Sequence, residues 1–338
     1  VSLRRVAAFL FLAAWVGVLA WQARRLYLRP ESQRVASAAR LIPPGVAYYR
    51  VSRAGRRVGW AQSEIDTLPA GNGFRLTDRI VIEIGALAAS LGSDAPRAGL
   101  AGGTAGAGRA TAEIRSEAEV GPTLSLRWFR ASASGLLGGL SGVGRVVGDS
   151  LLVVSAADST GRPRGAADTI RTGGPLVFEN AVPLRLAVEQ RAGAGDSVRI
   201  RIFDPLGMGP RMVTLRILER ATRTYPDSAD TDSLTGRWEA VRLDTVRAWK
   251  VARETGGMSV TSWVDEDGRI LEASLGGFEL RRTAFELAFY GFQGETGRGA
   301  PGQAGPDTVA GSGPRGEPAG APPSRPDSSA DPGGGGAG

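Results

Sequence analysis

The sequence predicts a mainly β protein: a large antiparallel twisted sheet or open half-barrel, one or two short helices covering it, and a transmembrane helix at the N-terminus. Three observations carry that expectation. Apolar and polar residues alternate at period two through much of 44–293, as in strands with one wet face. Turns rich in Gly, Pro, Asn and Asp punctuate the alternating runs. Ahead of them, Val6 to Trp21 is a run of sixteen residues, all apolar or glycine, between two arginine pairs.

At ~1.5 Å per residue that run spans about 24 Å, slightly less than a ~30 Å hydrocarbon core. Val6, Phe9, Leu10, Phe11, Leu12, Val16, Val18 and Leu19 supply its apolar surface, and Trp15 and Trp21 suit the interface. Snorkelling arginines cover the deficit. A cleaved signal peptide ending near Val18-Leu19-Ala20 is the competing reading, disfavoured by Arg24 and Arg25 directly behind it. The stretch "QARRLYLRPESQRVASAARL" can continue as a helix on the membrane surface. Orientation is argued both ways. The arginine bias lies on the C-terminal side, which would keep the main domain in the cytoplasm, whereas a short tail with its own Arg pair behaves as a signal anchor.

From Val46 the period becomes two. "GFRLTDRIVIEI" places Phe74, Leu76, Ile80, Ile82 and Ile84 on one face and Arg75, Thr77, Arg79 and Glu83 on the other, with Asp78 as the exception. "TAEIRSEAEV" opposes Ala112, Ile114, Ala118 and Val120 to Glu113, Arg115, Glu117 and Glu119. "SVRIRIF" opposes Val198, Ile200 and Ile202 to Arg199 and Arg201. Further strands are expected at 46–53, 57–66, 124–131, 143–147, 150–156, 167–172, 211–220, 238–252, 258–265 and 269–277. Helix is scarce. Asn180 can cap a helix over 181–192, with Pro183 in its tolerant first turn. A second helix over 282–292 would carry Phe285, Phe289 and Phe292 as a core-facing stripe. Insertions at 93–110 and 225–236 read as mobile. Beyond Gln293, 22 residues of the tail are Gly or Pro, too apolar-poor to offset the entropy of ordering. Three segments follow: an anchor with its juxtamembrane helix (1–43), a β-rich domain (44–293) and a disordered tail (294–338).

Composition excludes more than it identifies. The 338 residues contain no cysteine and no histidine, so Cys/His and Ser/His/Asp catalysis, the usual zinc sites and disulfides are absent. No cofactor is expected. The formal charge of +7 sits mainly beside the apolar N-terminal run, with +6 over 1–40, +3 over 41–293 and −2 in the tail. Nucleic acid is therefore not an expected partner, because a binder concentrates charge on its folded domain. Among 41 basic residues only Lys250 is lysine, and no serine lies near it in sequence to form a dyad. The glycine-rich run 138–150 lacks both the spacing and the following helix of a phosphate loop. The acids Asp265, Glu266 and Asp267 precede Gly268 between two apolar runs, too tightly for a calcium loop, and fit a hairpin turn with Gly268 at positive φ. On that reading, converting the three acids to amides leaves folding unchanged.

The stretches "YYRVSRAGRRVGWAQSEIDTL" (48–68), "VRIRIFDPLGMGPRMVTLRI" (198–217) and "SWVDEDGRILEASLGGFELRRTAFELA" (262–288) resemble the β-rich region that precedes the catalytic domain in bacterial transglutaminase-like proteins. The family's Cys/His/Asp triad has no counterpart here, so no catalytic residue carries over. The resemblance implies a module outside the cytoplasm without its enzyme, and it decides the orientation: a single-pass protein of the inner membrane with its main domain in the periplasm. A weaker analogy of architecture is to periplasmic lipoprotein carriers. The expected function is a non-catalytic envelope protein attached to the membrane, partnered by a separate envelope protein or a lipid. In the lipid version, Phe74, Leu76, Ile80, Ile82, Ile84, Val198, Ile200 and Ile202 open to an acyl chain. The alternative is a carboxylate-dependent hydrolase of envelope glycans or peptides, requiring two enclosed carboxyls.

Overall fold

The computed structural model describes residues 12, 14–19, 21–22, 30–86, 110–135, 139–148, 150–158, 161–189, 193–204, 209–255, 258–290 and 292. Residues 93–109 of the expected mobile stretch 93–110, the tail from 294, and the anchor residues Val6, Phe9, Leu10 and Phe11 lie outside them.

Among the described residues, fifteen strands form one sheet built from two meanders. The first comprises β1 (Gly45–Arg53), β2 (Arg56–Thr67), β3 (Phe74–Glu83), β4 (Thr111–Val120), β5 (Leu126–Ser134), β6 (Leu140–Val147), β7 (Leu151–Ala157) and β8 (Pro163–Arg171). The second comprises β9 (Val177–Phe178), β10 (Ser197–Asp204), β11 (Gly209–Thr231), β12 (Trp238–Thr255), β13 (Met258–Asp265), β14 (Ile270–Leu275) and β15 (Phe278–Thr283). Antiparallel pairing of β1 with β15 joins the meanders. The sheet is not wholly antiparallel as expected: β9 runs parallel to β10, because the chain between them passes through a helix and returns.

The sheet curls until strands from its two ends meet. Phe129 of β5 packs on Phe178 of β9 and Phe203 of β10, with ring centroids 5.3 and 4.9 Å apart. Leu152 and Val154 of β7 complete that cluster. Right-handed strand twist favours such closure in a wide sheet. Inside the curl lies α2 (Val182–Val188), entered through a short 3-10 turn, Glu179–Ala181. Its Val182, Leu184 and Leu186 are buried against Ile65, Leu76, Ile200, Leu215 and Val264. Asn180 caps nothing; it belongs to the turn, and no side-chain cap closes the helix N-terminus.

Several expectations are corrected here. The segment expected on a membrane surface forms α1 (Glu31–Ala39), whose Val35 and Ala39 are buried in the same core as α2. Arg185 of α2 ties it down by pairing with Glu31. Leu12, Trp15, Val16, Val18, Leu19 and Trp21 are helical and exposed, but no helix among the described residues is long and apolar enough to cross a membrane. That finding overturns the single-pass anchor, and the inner-membrane location and periplasmic orientation derived from it. The run was already several ångströms short of a hydrocarbon core. The stretch 225–236 is not a mobile insertion: β11 and β12 stay paired, through register shifts between Pro226 and Ala229, out to Thr231 opposite Trp238, and Asp232 Oδ1 closes the turn by accepting from Leu234 N at 2.7 Å. The strand expected at 269–277 is β14, and after a turn at Gly276-Gly277 the chain adds an unexpected strand, β15, whose last residues 282–283 fall in the stretch expected as helix. Finally, α3 (Phe285–Phe289) does not cover the concave face. Its Phe285 and Phe289 pack on Tyr48 and Trp60, which alternate with the cavity-lining Tyr49 and Ala61 and so lie on the opposite face.

Candidate functional site

The eight residues expected to form an open apolar face are not one surface. Phe74, Leu76, Ile200 and Ile202 are core, and Val198 packs partly against it. Ile80 and Ile82 join a second cluster around Tyr49 and Val51. Ile84 lies beyond the end of β3, in a helical turn. An open groove for an acyl chain is thus replaced by packed interior, because α1 and α2 occupy the place such a chain would take.

What remains between the sheet and the segment 178–186 is a cavity of about 420 Å³. Strands from β5 through β1 line one side and β15 through β11 the other. Only Leu76 and Ile80 of the eight expected residues reach it. Its walls are mostly aliphatic, with Ala47, Ala61, Ile65, Val251, Val260, Val264, Ala273 and Leu280 among them. Two exposed apolar residues on its lining, Ile114 (39%) and Leu275 (40%), mark where it meets solvent. The ion pair of Glu179 with Arg253, at 2.6 Å, also lines it.

Into this apolar wall projects Asp78. Strand register places it directly opposite Ser63 on β2 and Ser116 on β4, so a carboxyl flanked by two hydroxyls crosses three adjacent strands in one row. Both serines hydrogen-bond the carboxyl. From the covering turn, Asn180 comes near enough to favour the ionised form, yet its buried Nδ2 and Oδ1 complete no well-aligned hydrogen bond with any partner. Burial dominates and pushes the Asp78 carboxyl above the ordinary carboxylate range, against the three neighbours. No cation contributes to its setting. Asp78 is enclosed by protein, and the surface left to it faces the cavity. One residue along the same face, burial raises the Tyr49 hydroxyl far above its ordinary value, with Asp78 reinforcing the shift.

The sequence carried a signal for this site. Asp78 breaks the apolar face of its strand, and Ser116 falls on the inward face of "TAEIRSEAEV" between Ile114 and Ala118. Two polar residues at inward positions of neighbouring strands are what a shared interior polar row looks like in one dimension.

The acids available for hydrolysis are elsewhere. Glu113 pairs with Arg79 at 2.8 Å, Glu119 with Arg75 at 2.8 Å and Glu117 with Arg75 at 3.5 Å, all on the face away from the cavity. Among the described residues no group of three or more acids could hold a metal ion. The turn acids divide. Glu266 is half-buried between Arg220 and Arg247. Asp265 is buried: its Oδ1 accepts from Asp267 N at 3.1 Å and Arg269 N at 2.7 Å, and its Oδ2 meets Arg282 Nη1 at 2.9 Å. Gly268 has the expected positive φ, 77°. The two enclosed carboxyls a hydrolase would need do not share a cleft, since Asp265 is spent on its own turn and Arg282 while Asp78 faces the cavity. With the membrane helix and the open acyl groove, the hydrolase reading is therefore set aside.

No known protein family matches the chain, and no curated protein matches it. The transglutaminase-like resemblance rests on the quoted motifs alone. Two solved structures were found to be similar in outline. One is a beta-barrel-like protein of a domain of unknown function, DUF1849, from Brucella abortus, 12% identical with a TM-score of 0.43, covering 72% of this chain and 95% of that one. The other is a DUF1089 family protein from Pseudomonas aeruginosa, 9% identical with a TM-score of 0.32, covering 66% of this chain and 92% of that one.

Proposed function

We propose that this protein is a non-catalytic binding protein for an amphipathic small molecule, whose polar end is received at Asp78 and whose apolar body fills the interior cavity. The observation that carries the reading is a carboxyl without a cationic partner, set in the mostly aliphatic wall of a cavity of about 420 Å³. Ligand pockets of this size combine apolar walls with a few convergent polar groups. A protein interior that served only packing would place an aliphatic residue at position 78, because an enclosed carboxyl costs free energy that its serine and asparagine neighbours return only in part. The reading differs from an acyl-chain carrier in the place and chemistry of the site: a walled cavity with a polar anchor instead of an open apolar face.

Calorimetry with 1-octanol tests it. Binding to the full chain is expected with a negative heat-capacity change, the mark of apolar burial. Ala131→Phe, which projects a ring into the cavity from β5, is expected to abolish binding while unfolding remains cooperative. Undiminished octanol binding by that variant would place the ligand elsewhere and overturn the proposal.

A further inference from the structure

The setting of Asp78 also says which polar end it receives. Resting on the cavity reading above, we propose that the ligand is a cationic amphiphile, an apolar body ending in a primary ammonium group, and that the Asp78 carboxylate, flanked by Ser63 and Ser116, is its counter-ion.

What the setting of Asp78 lacks is a compensating charge. An enclosed carboxylate is stable when a cation compensates it, as Arg282 compensates Asp265 in the same molecule. Among the described residues, the polar groups that act on Asp78 are two hydroxyls and an amide. Three arginines line the cavity, and none of them contributes to the setting of Asp78. Arg253 is held by Glu179, and Arg269 Nη2 donates to the carbonyls of Pro43 and Pro44, each at 3.2 Å. Arg115 occupies an exposed position on β4 between Glu113 and Glu117, on the outward alternation of that strand. Tyr49, also on the lining, stays protonated because burial raises its hydroxyl far above the ordinary value. The cavity lined by these arginines therefore holds, at Asp78, an acceptor-rich corner that none of their charges compensates.

An ammonium group supplies both things lacking. Its charge offsets the carboxylate in a low-dielectric setting, where the attraction is strongest. Its three N–H donors match the acceptors on hand: a carboxylate oxygen, a serine hydroxyl and the unfilled Oδ1 of Asn180. A neutral alcohol offers one donor and no charge. A carboxylate ligand would meet Asp78 as a like charge and is excluded.

Calorimetric titration of the full chain with octylamine, 1-octanol and octanoate at neutral pH separates this inference from the reading beneath it. Octylamine is expected to bind at least tenfold more tightly than octanol, with octanoate weakest. In Asp78→Asn the amine preference is expected to vanish while octanol still binds, which also shows that the variant is folded. Equal affinity of the wild type for amine and alcohol would overturn the cation assignment and leave the cavity reading standing. Preferential binding of octanoate would overturn it as well. Binding of none of the three would overturn both.

Discussion

Asp78 and Asp265 are both acids surrounded by protein, and they act in opposite directions on stability. Burial raises both carboxyls above the ordinary range. Asp265 nevertheless holds two backbone N–H groups and the guanidinium of Arg282, whose side chain is only 9% exposed. Removing it strands a buried cation and two donors, so Asp265→Ala is expected to cost about 3 kcal/mol, measured as a fall in urea midpoint at constant slope. A fall under about 0.5 kcal/mol would restore the reading of all three turn acids as dispensable. That reading took Asp265 for a solvated turn residue. The local pattern cannot tell a wet turn from one packed on a strand seventeen residues later. Asp78 has no such partner. Its folded-state pKa lies above the unfolded value, so its unfavourable contribution is absent below the unfolded pKa and grows as pH rises through the folded one. Asp78→Asn is therefore expected to stabilise the empty protein at neutral pH, with the gain shrinking as the solution is acidified. Thermal unfolding of both proteins across that range checks it, and a gain that grows toward acid would contradict the assignment. Strained or costly groups retained at a site are the ordinary mark of function over stability.

At the scale of elements, strands were legible and their company was not. Period-two alternation located most strand centres to within a few residues, because one wet face imposes it. It failed where both faces are polar: β11 and β12 continue as a ribbon through "YPDSADTDSLTG" by ladder hydrogen bonds that side-chain pattern does not report. Helix α1 shows the complementary failure. Its two buried positions, Val35 and Ala39, are i and i+4 among polar residues, a stripe too narrow to distinguish a packed helix from one on a surface. The contact between the β13–β14 turn and α2 was invisible for another reason. Gly268 sits at positive φ, and a Cβ there would lie 2.7 Å from Leu184 Cα, so one residue serves both the turn and the helix packed on it. Gly268→Ala is expected to cost about 2 kcal/mol or more, through strain and displacement of α2 together. Leu184→Ala on the Gly268→Ala background then gives a smaller loss than Leu184→Ala alone if the two share that contact. Strict additivity would show that the glycine acts through the turn only.

At the scale of the whole molecule, the cavity is a product of topology. Its lining comes from residues between 47 and 280, contributed by strands that become neighbours only when β1 pairs with β15 and the sheet curls. No window of sequence contains it, which is why a linear reading assigned the apolar residues to an open face and noticed Asp78 only as a break in alternation. The same topology makes occupancy a global property. A ligand that fills the interior touches both meanders and the α2 segment at once, and binds the folded state alone. Its stabilisation follows from mass action: at a free concentration of 100 Kd it adds about 2.7 kcal/mol. For a domain of this size each kcal/mol moves the melting temperature by roughly 2–4 °C, so octylamine near saturation is expected to raise it by about 5–10 °C. Ala131→Phe should melt without that rise, because its cavity is filled. Asp78→Asn should lose most of it with octylamine and keep what 1-octanol provides. A wild-type melting temperature that does not move at 100-fold excess over the calorimetric Kd would mean that the amine binds folded and unfolded chains alike, on exposed surface, and the interior would then be packing with a void in it.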